Sequence, residues 1–195
     1  MQSVNTRSKI QAAFKRDDQA WFQEYSDFVR SGSILKLGYG LGYVTALVKS
    51  VNRQVTSLEV NHHAQALPDS SIIYYDGAKL PYPDKSFDTI ICSMTLHHTI
   101  RPRAMLREME RVGRKHIILI DTTAANPYSF AAMIWGCLRA NQQAGQASTI
   151  YPWSYLTPKR ITQWSRALNL KLVHHVVKAR ARGYAAELWV WRVAQ

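Results

Sequence analysis

Cysteine is scarce: the 195 residues hold only Cys92 and Cys137. So few thiols exclude a disulfide-built secreted scaffold and imply a reducing, cytoplasmic setting. Long apolar runs are missing too. The longest, residues 128–138, falls far short of the ~20 residues a membrane-spanning helix requires. Residues 1–9 are polar, without the apolar stretch of a signal peptide. There is no internal repeat and no low-complexity tract. No Cys/His spacing has the form of a zinc motif, so no metal is expected. The adjacent pairs His62-His63, His97-His98 and His174-His175 would point to opposite faces if each lay on a strand.

Acidic residues are also few, 13 against 25 Lys and Arg, for a net charge of +12. The excess is local. Residues 101–116 carry six basic residues against two glutamates, and residues 157–195 carry eight against Glu187 alone. Such clusters fit a solvated face, or a surface for an anionic partner such as RNA, an acidic lipid surface or an acidic protein.

What is present is an ordinary globular balance, 47% apolar and 19% charged, at a length that suits one domain. Helical spacing of Trp21, Phe22, Tyr25, Phe28 and Val29 predicts a helical cap over residues 1–30. Strands are predicted at 34–37, 55–60, 72–75, 89–94 and 116–121, with helices at 43–50 and 103–112 between them. On the second of these helices Arg103, Arg107 and Arg111, continued by Arg114, read as a basic stripe. Thr157-Pro158 opens a last helix as N-cap and first-turn proline. Strands at 171–177 and 185–193, joined by a turn at Gly183, close the pattern. Strands alternating with helices define a three-layer α/β fold.

The first strand runs into Gly38-Tyr39-Gly40-Leu41-Gly42 and then a helix. Glycines let the backbone turn tightly and let a ligand approach the main chain, while the helix directs its free amides at that ligand. About twenty residues on, the second strand ends at Glu59, where a carboxylate can accept both hydroxyls of a ribose.

Asp76-Gly77-Ala78-Lys79-Leu80-Pro81-Tyr82-Pro83-Asp84-Lys85-Ser86-Phe87-Asp88, followed by a strand ending in Leu96-His97-His98, resembles class I S-adenosylmethionine-dependent methyltransferases of the ubiquinone/menaquinone-biosynthesis type. The resemblance spans residues 34–121. It implies a Rossmann-like α/β/α sandwich whose seven-stranded sheet is mostly parallel with its last strand antiparallel. It divides the chain into an N-terminal cap (1–30), a cofactor-binding core (31–121), a lid (122–156) and a C-terminal helix with a strand hairpin (157–195). It implies S-adenosylmethionine as cofactor, with S-adenosylhomocysteine as product. Gly38, Tyr39, Gly40 and Gly42 would shape the loop under it. Glu59 would hold the ribose, Asp76 and the Gly77 amide the adenine, and Ser93 would meet the cofactor from the fourth strand.

The chain departs from that pattern at Lys36, where the family has an acidic residue that balances the cofactor's amino group. A lysine ~6 Å from that group would repel it by roughly 2–3 kcal/mol unless it paired elsewhere. Leu41 replaces a small or hydroxyl residue, and residues 61–71 are too short for the customary helix. A catalytically impaired binding protein and an RNA methyltransferase using the basic face therefore stand beside the expected enzyme.

Methyl transfer is an in-line displacement, so positioning dominates. His97 and His98 are the candidate base or acceptor-shaping residues. Residues 122–156 hold one charge, Arg139, and six aromatics: Tyr128, Phe130, Trp135, Tyr151, Trp153 and Tyr155. A lid of that composition suits a small apolar or aromatic substrate.

Overall fold

The computed structural model describes residues 2–60, 67, 69, 71–146, 149–179 and 184–194. The expected gap without a helix at 61–71 and the turn at Gly183 lie largely outside those residues.

Strand periodicity builds the core. In β1 (Ile34–Leu37) every residue is buried, and alternate side chains enter opposite layers. Leu35 and Leu37 join Leu58, Ile90, Cys92, Ile117 and Leu119 in one cluster. That layer is covered by Met105, Leu106, Met109 and Val112 of α3 (Pro102–Val112) and by Ile161 and Trp164 of α5 (Pro158–Ala167). Ile34 faces the other way with Ile91, Ile118 and Ile120. There it meets Trp21 and Tyr25 of α1 (Gln2–Tyr25) and Val44 and Val48 of α2 (Tyr43–Val51). Lys36 shares Ile34's face, so the period of two sends its side chain toward α1.

The remaining strands are β2 (Val55–Glu59), β3 (Ile73–Tyr74), β4 (Phe87–Ser93), β5 (Gly113–Ala124), β6 (Lys171–Ala179) and β7 (Tyr184–Arg192). Their order is β3-β2-β1-β4-β5-β7-β6. The first five are mutually parallel, and β7 runs antiparallel to both of its neighbours. This is the expected seven-stranded sheet. Strand β5 is longer than its apolar run because it pairs with β7 from His116 to Ala124. The segment that crosses the sheet end therefore begins after Ala124, later than residue 122. Its helix is α4 (Pro127–Ala144), capped by Asn126, whose side chain accepts from the Ser129 amide.

The basic stripe does not form. Helix α3 ends at Val112, which leaves Arg114 on β5, 3.5 Å from Asp88. Arg111 turns inward instead, donating to Glu108, Asp84 and the carbonyls of Leu80 and Tyr82. It clamps the Leu80-Pro81-Tyr82-Pro83-Asp84 segment against α3, while Glu108 accepts the Leu80 amide at 3.0 Å. The most specific stretch of the sequence is thus held by a structural arginine, which leaves Arg103 and Arg107 exposed on α3 and Arg114 exposed on β5.

Candidate active site

At the carboxyl end of β1 the chain passes through Gly38 (φ 69°), Gly40 (φ 58°) and Gly42 (φ 90°) before entering α2. At two of these positions a Cβ would meet a neighbouring side chain as well as a strained backbone. A Cβ on Gly38 would lie 2.3 Å from the Thr95 hydroxyl, and one on Gly42 would lie 2.6 Å from the Tyr39 hydroxyl. Gly38→Ala is expected to cost ~1–3 kcal/mol through its left-handed backbone, before any displacement of Thr95. Urea unfolding checks this; an unchanged midpoint would mean that the loop relaxes freely.

Gly42 caps α2 through its backbone, with no side-chain acceptor for the first-turn amides, and Tyr43 and Val44 border the cavity beside it. A helix start of this kind accepts an anionic or carbonyl group. Glu59, at the end of β2, ties the loop down: its carboxylate accepts the Gly40 amide at 3.1 Å and the Val60 amide at 2.7 Å. The Asp76 carboxylate accepts the Ala78 amide at 2.9 Å, forming the turn at Gly77 (φ 77°). Tyr39 points down, donating its hydroxyl to the Leu67 carbonyl.

All ten sequence-predicted site residues line one cavity of about 700 Å³. Gly38, Tyr39, Gly40, Gly42, Glu59, Asp76, Gly77 and Ser93 border it together with His97 and His98. Helices α1 and α4 cover it and touch each other, with the Gln11 amide donating to the Ala144 carbonyl at 3.0 Å.

Lys36 also lines this cavity, but its ammonium is engaged. It donates to the Leu37 carbonyl at 2.7 Å and to the Gly38 carbonyl at 2.5 Å, bracing the underside of the loop. Burial lowers its pKa, opposed by Cys92, Asp18 and Glu59. Asp18 reaches the same end of the cavity from α1, with Asp17 beside it. Burial raises the Asp18 carboxyl to about 6 despite the opposing charge of Lys36. The cap helix thus brings an acid to the end of the cavity where the strand carries Lys36. Sequence reasoning missed it, although Asp17 and Asp18 are the only acidic residues before Glu24.

At the other end, Met94 leaves β4 in the left-handed conformation (φ 48°), its amide held by the Ile120 carbonyl at 2.7 Å. The turn that follows, Leu96–His98, carries both histidines, so they do not diverge as they would on a strand. Their ring centroids are 3.9 Å apart. Asp121, fully buried on β5, orients His97. One carboxylate oxygen meets His97 Nδ1 at 2.5 Å and the Thr122 amide at 2.7 Å. The other accepts the Leu96 and His97 amides at 2.9 and 3.3 Å. Burial opposes a charge on His97, yet Asp121 and Cys137 together hold its pKa up at about 10. His98 hydrogen-bonds the Thr149 carbonyl through Nδ1 at 2.8 Å. Burial, then the neighbouring His97, pushes it down to about 4.

Both Nε2 atoms converge on Cys137 of α4, at 3.6 Å from His97 and 3.7 Å from His98. Cys137 and Asp121 carried no role in the sequence reading. Of the six aromatics at 122–156 only Tyr151 borders the cavity. Tyr128, Trp135 and Trp153 are exposed, and Phe130 packs on Tyr155. The apolar lining comes instead from Phe14 and Trp21 of α1, Met94, Ile100 and Met133.

A seven-stranded sheet with a reversed strand, a glycine loop after β1 and an acid at the end of β2 form the architecture that the resemblance to class I S-adenosylmethionine-dependent methyltransferases implies. Residues 35–120 match the family described as "Methyltransferase domain". A protein of Mycobacterium tuberculosis described as a probable S-adenosylmethionine-dependent methyltransferase is 27% identical over 113 residues, 55% of this chain and 41% of its own length. The chain thus spans about two-fifths of that relative. In fold it resembles a methyltransferase from Aquifex aeolicus (TM-score 0.60, 13% identity, 96% of this chain and 98% of that one). It also resembles magnesium protoporphyrin IX methyltransferase from Synechocystis with bound S-adenosylhomocysteine (TM-score 0.60, 14% identity, 97% and 84%). Among the described residues no helix is long and apolar enough to cross a membrane.

Proposed function

We propose that the chain transfers a methyl group from S-adenosylmethionine to a small, apolar or aromatic acceptor bound beneath α1 and α4. The observation that carries this reading is the single cavity, which joins the glycine loop, Glu59 and Asp76 at one end to an apolar pocket with two histidines at the other. When bound, the cofactor supplies an electrophilic methyl on a sulfonium. The residues present fit it: a loop whose glycines leave room for a ligand, a buried carboxylate at a strand end, and a second acid on the adenine side. Asp18 offsets the charge of an amino group near Lys36. His97 and His98 flank the acceptor and orient it, and the covering helices exclude water. Two unpaired cysteines suit a reducing cytoplasm.

Calorimetric titration with S-adenosylhomocysteine tests the cofactor end. Glu59→Ala is expected to weaken binding by ~1–3 kcal/mol, as removal of a buried acceptor does. Equal affinity in wild type and variant would sink the assignment.

A further inference from the structure

We propose that His97, His98 and Cys137 form a binding site for a zinc-class divalent cation at the acceptor end of the cavity. Their three donor atoms, two Nε2 and one Sγ, all lie within 4.8 Å of one another. Zinc bonds of ~2.0–2.1 Å to nitrogen and ~2.3 Å to sulfur, at tetrahedral angles, place N and S about 3.6 Å apart. The structure has 3.6 and 3.7 Å for those two edges. The third edge, between the two Nε2 atoms, is at most 4.8 Å.

The surroundings complete the pattern. Metal-binding imidazoles carry an outward hydrogen bond from the ring nitrogen that is not a ligand, which fixes tautomer and ring plane. Here both rings have it: His97 Nδ1 meets the Asp121 carboxylate and His98 Nδ1 meets the Thr149 carbonyl. The Asn141 side-chain amide donates to Cys137 Sγ at 3.4 Å and fixes its position. Charge balances as well. Binding would release the protons of His97 Nε2 and the Cys137 thiol to solvent, and the two positive charges of the ion would then be met by the Cys137 thiolate and the buried Asp121 carboxylate. A His₂Cys donor set suits zinc over magnesium or calcium, which prefer oxygen. All three residues line the cavity, so the fourth position opens on it and takes water or an anionic donor from the acceptor. The proposal rests on these side chains alone and not on the cofactor end.

Cobalt(II) is the probe. Titrated into the reduced, metal-stripped chain, it is expected to bind one equivalent with tetrahedral d–d bands and a thiolate charge-transfer band, and zinc should displace it. Cys137→Ala should abolish the charge-transfer band, and His98→Ala should weaken binding at least a hundredfold. Thermal melts and S-adenosylhomocysteine affinity of both variants are measured alongside, so that unfolding is not read as lost ligation. A charge-transfer band that survives Cys137→Ala, or no stoichiometric binding by a folded wild type, overturns the site. S-adenosylhomocysteine binding without metal binding would defeat this proposal and leave methyl transfer standing; metal binding without it would do the reverse.

Discussion

Asp121→Ala is expected to destabilise the fold by ~3–5 kcal/mol, the range for deleting one member of a buried, hydrogen-bonded charge pair. The carboxylate is wholly enclosed and serves four donors: His97 Nδ1 and the amides of Leu96, His97 and Thr122. Alanine leaves all four in a space that water does not readily reach. Asp121→Asn keeps the shape but turns an amide group on at least one of those donors, so it should recover only part of the loss. Urea unfolding with an unchanged m-value reads the effect. A loss below 1 kcal/mol for alanine would mean that water enters and replaces the carboxylate.

Lys36→Asp is expected to cost ~3–5 kcal/mol of stability and to leave S-adenosylhomocysteine affinity no tighter than in wild type. The substitution restores the acid that the family resemblance expects. In this chain, however, it replaces a donor to the Leu37 and Gly38 carbonyls by an acceptor. It also sets a carboxylate near Asp18 and Glu59, both of which now interact with the lysine. Lys36→Met, which removes the charge without reversing it, should be milder. Tighter cofactor binding in a stable Lys36→Asp variant would show that the lysine repels the ligand and that Asp18 does not offset it.

Lys36 shows what one sequence can and cannot display. Its departure from the family pattern was visible, and the strand period fixed its face. Its partners were not visible, because the carbonyls belong to the loop's own bend and Asp18 arrives from a helix eighteen residues earlier. The glycine-loop end of the cavity was legible as geometry because its parts are local: a strand end, a glycine turn or an acid at fixed spacing. The acceptor end was not. His97 and His98 were found, but on the assumption that they close a strand, and Met94's left-handed backbone had already ended it. Cys137 reaches them only because α4 folds back over the sheet, forty residues on. The arginine spacing at 103, 107, 111 and 114 implied one helical face. That inference failed where α3 stopped at Val112 and where the acids of Glu108 and Asp84 drew Arg111 inward.

The place of β7 has a consequence for how the chain is made. It follows β6 in sequence yet lies between β5 and β6, hydrogen-bonded to both. While a ribosome is still extending the chain, β5 has no neighbour on one side and β6 has nothing to pair with. The unpaired edge of β5 then forms an open template until residues 184–192 emerge. The sheet can be closed only by a late insertion, so a stall near residue 180 would leave an adhesive edge rather than a smaller stable domain.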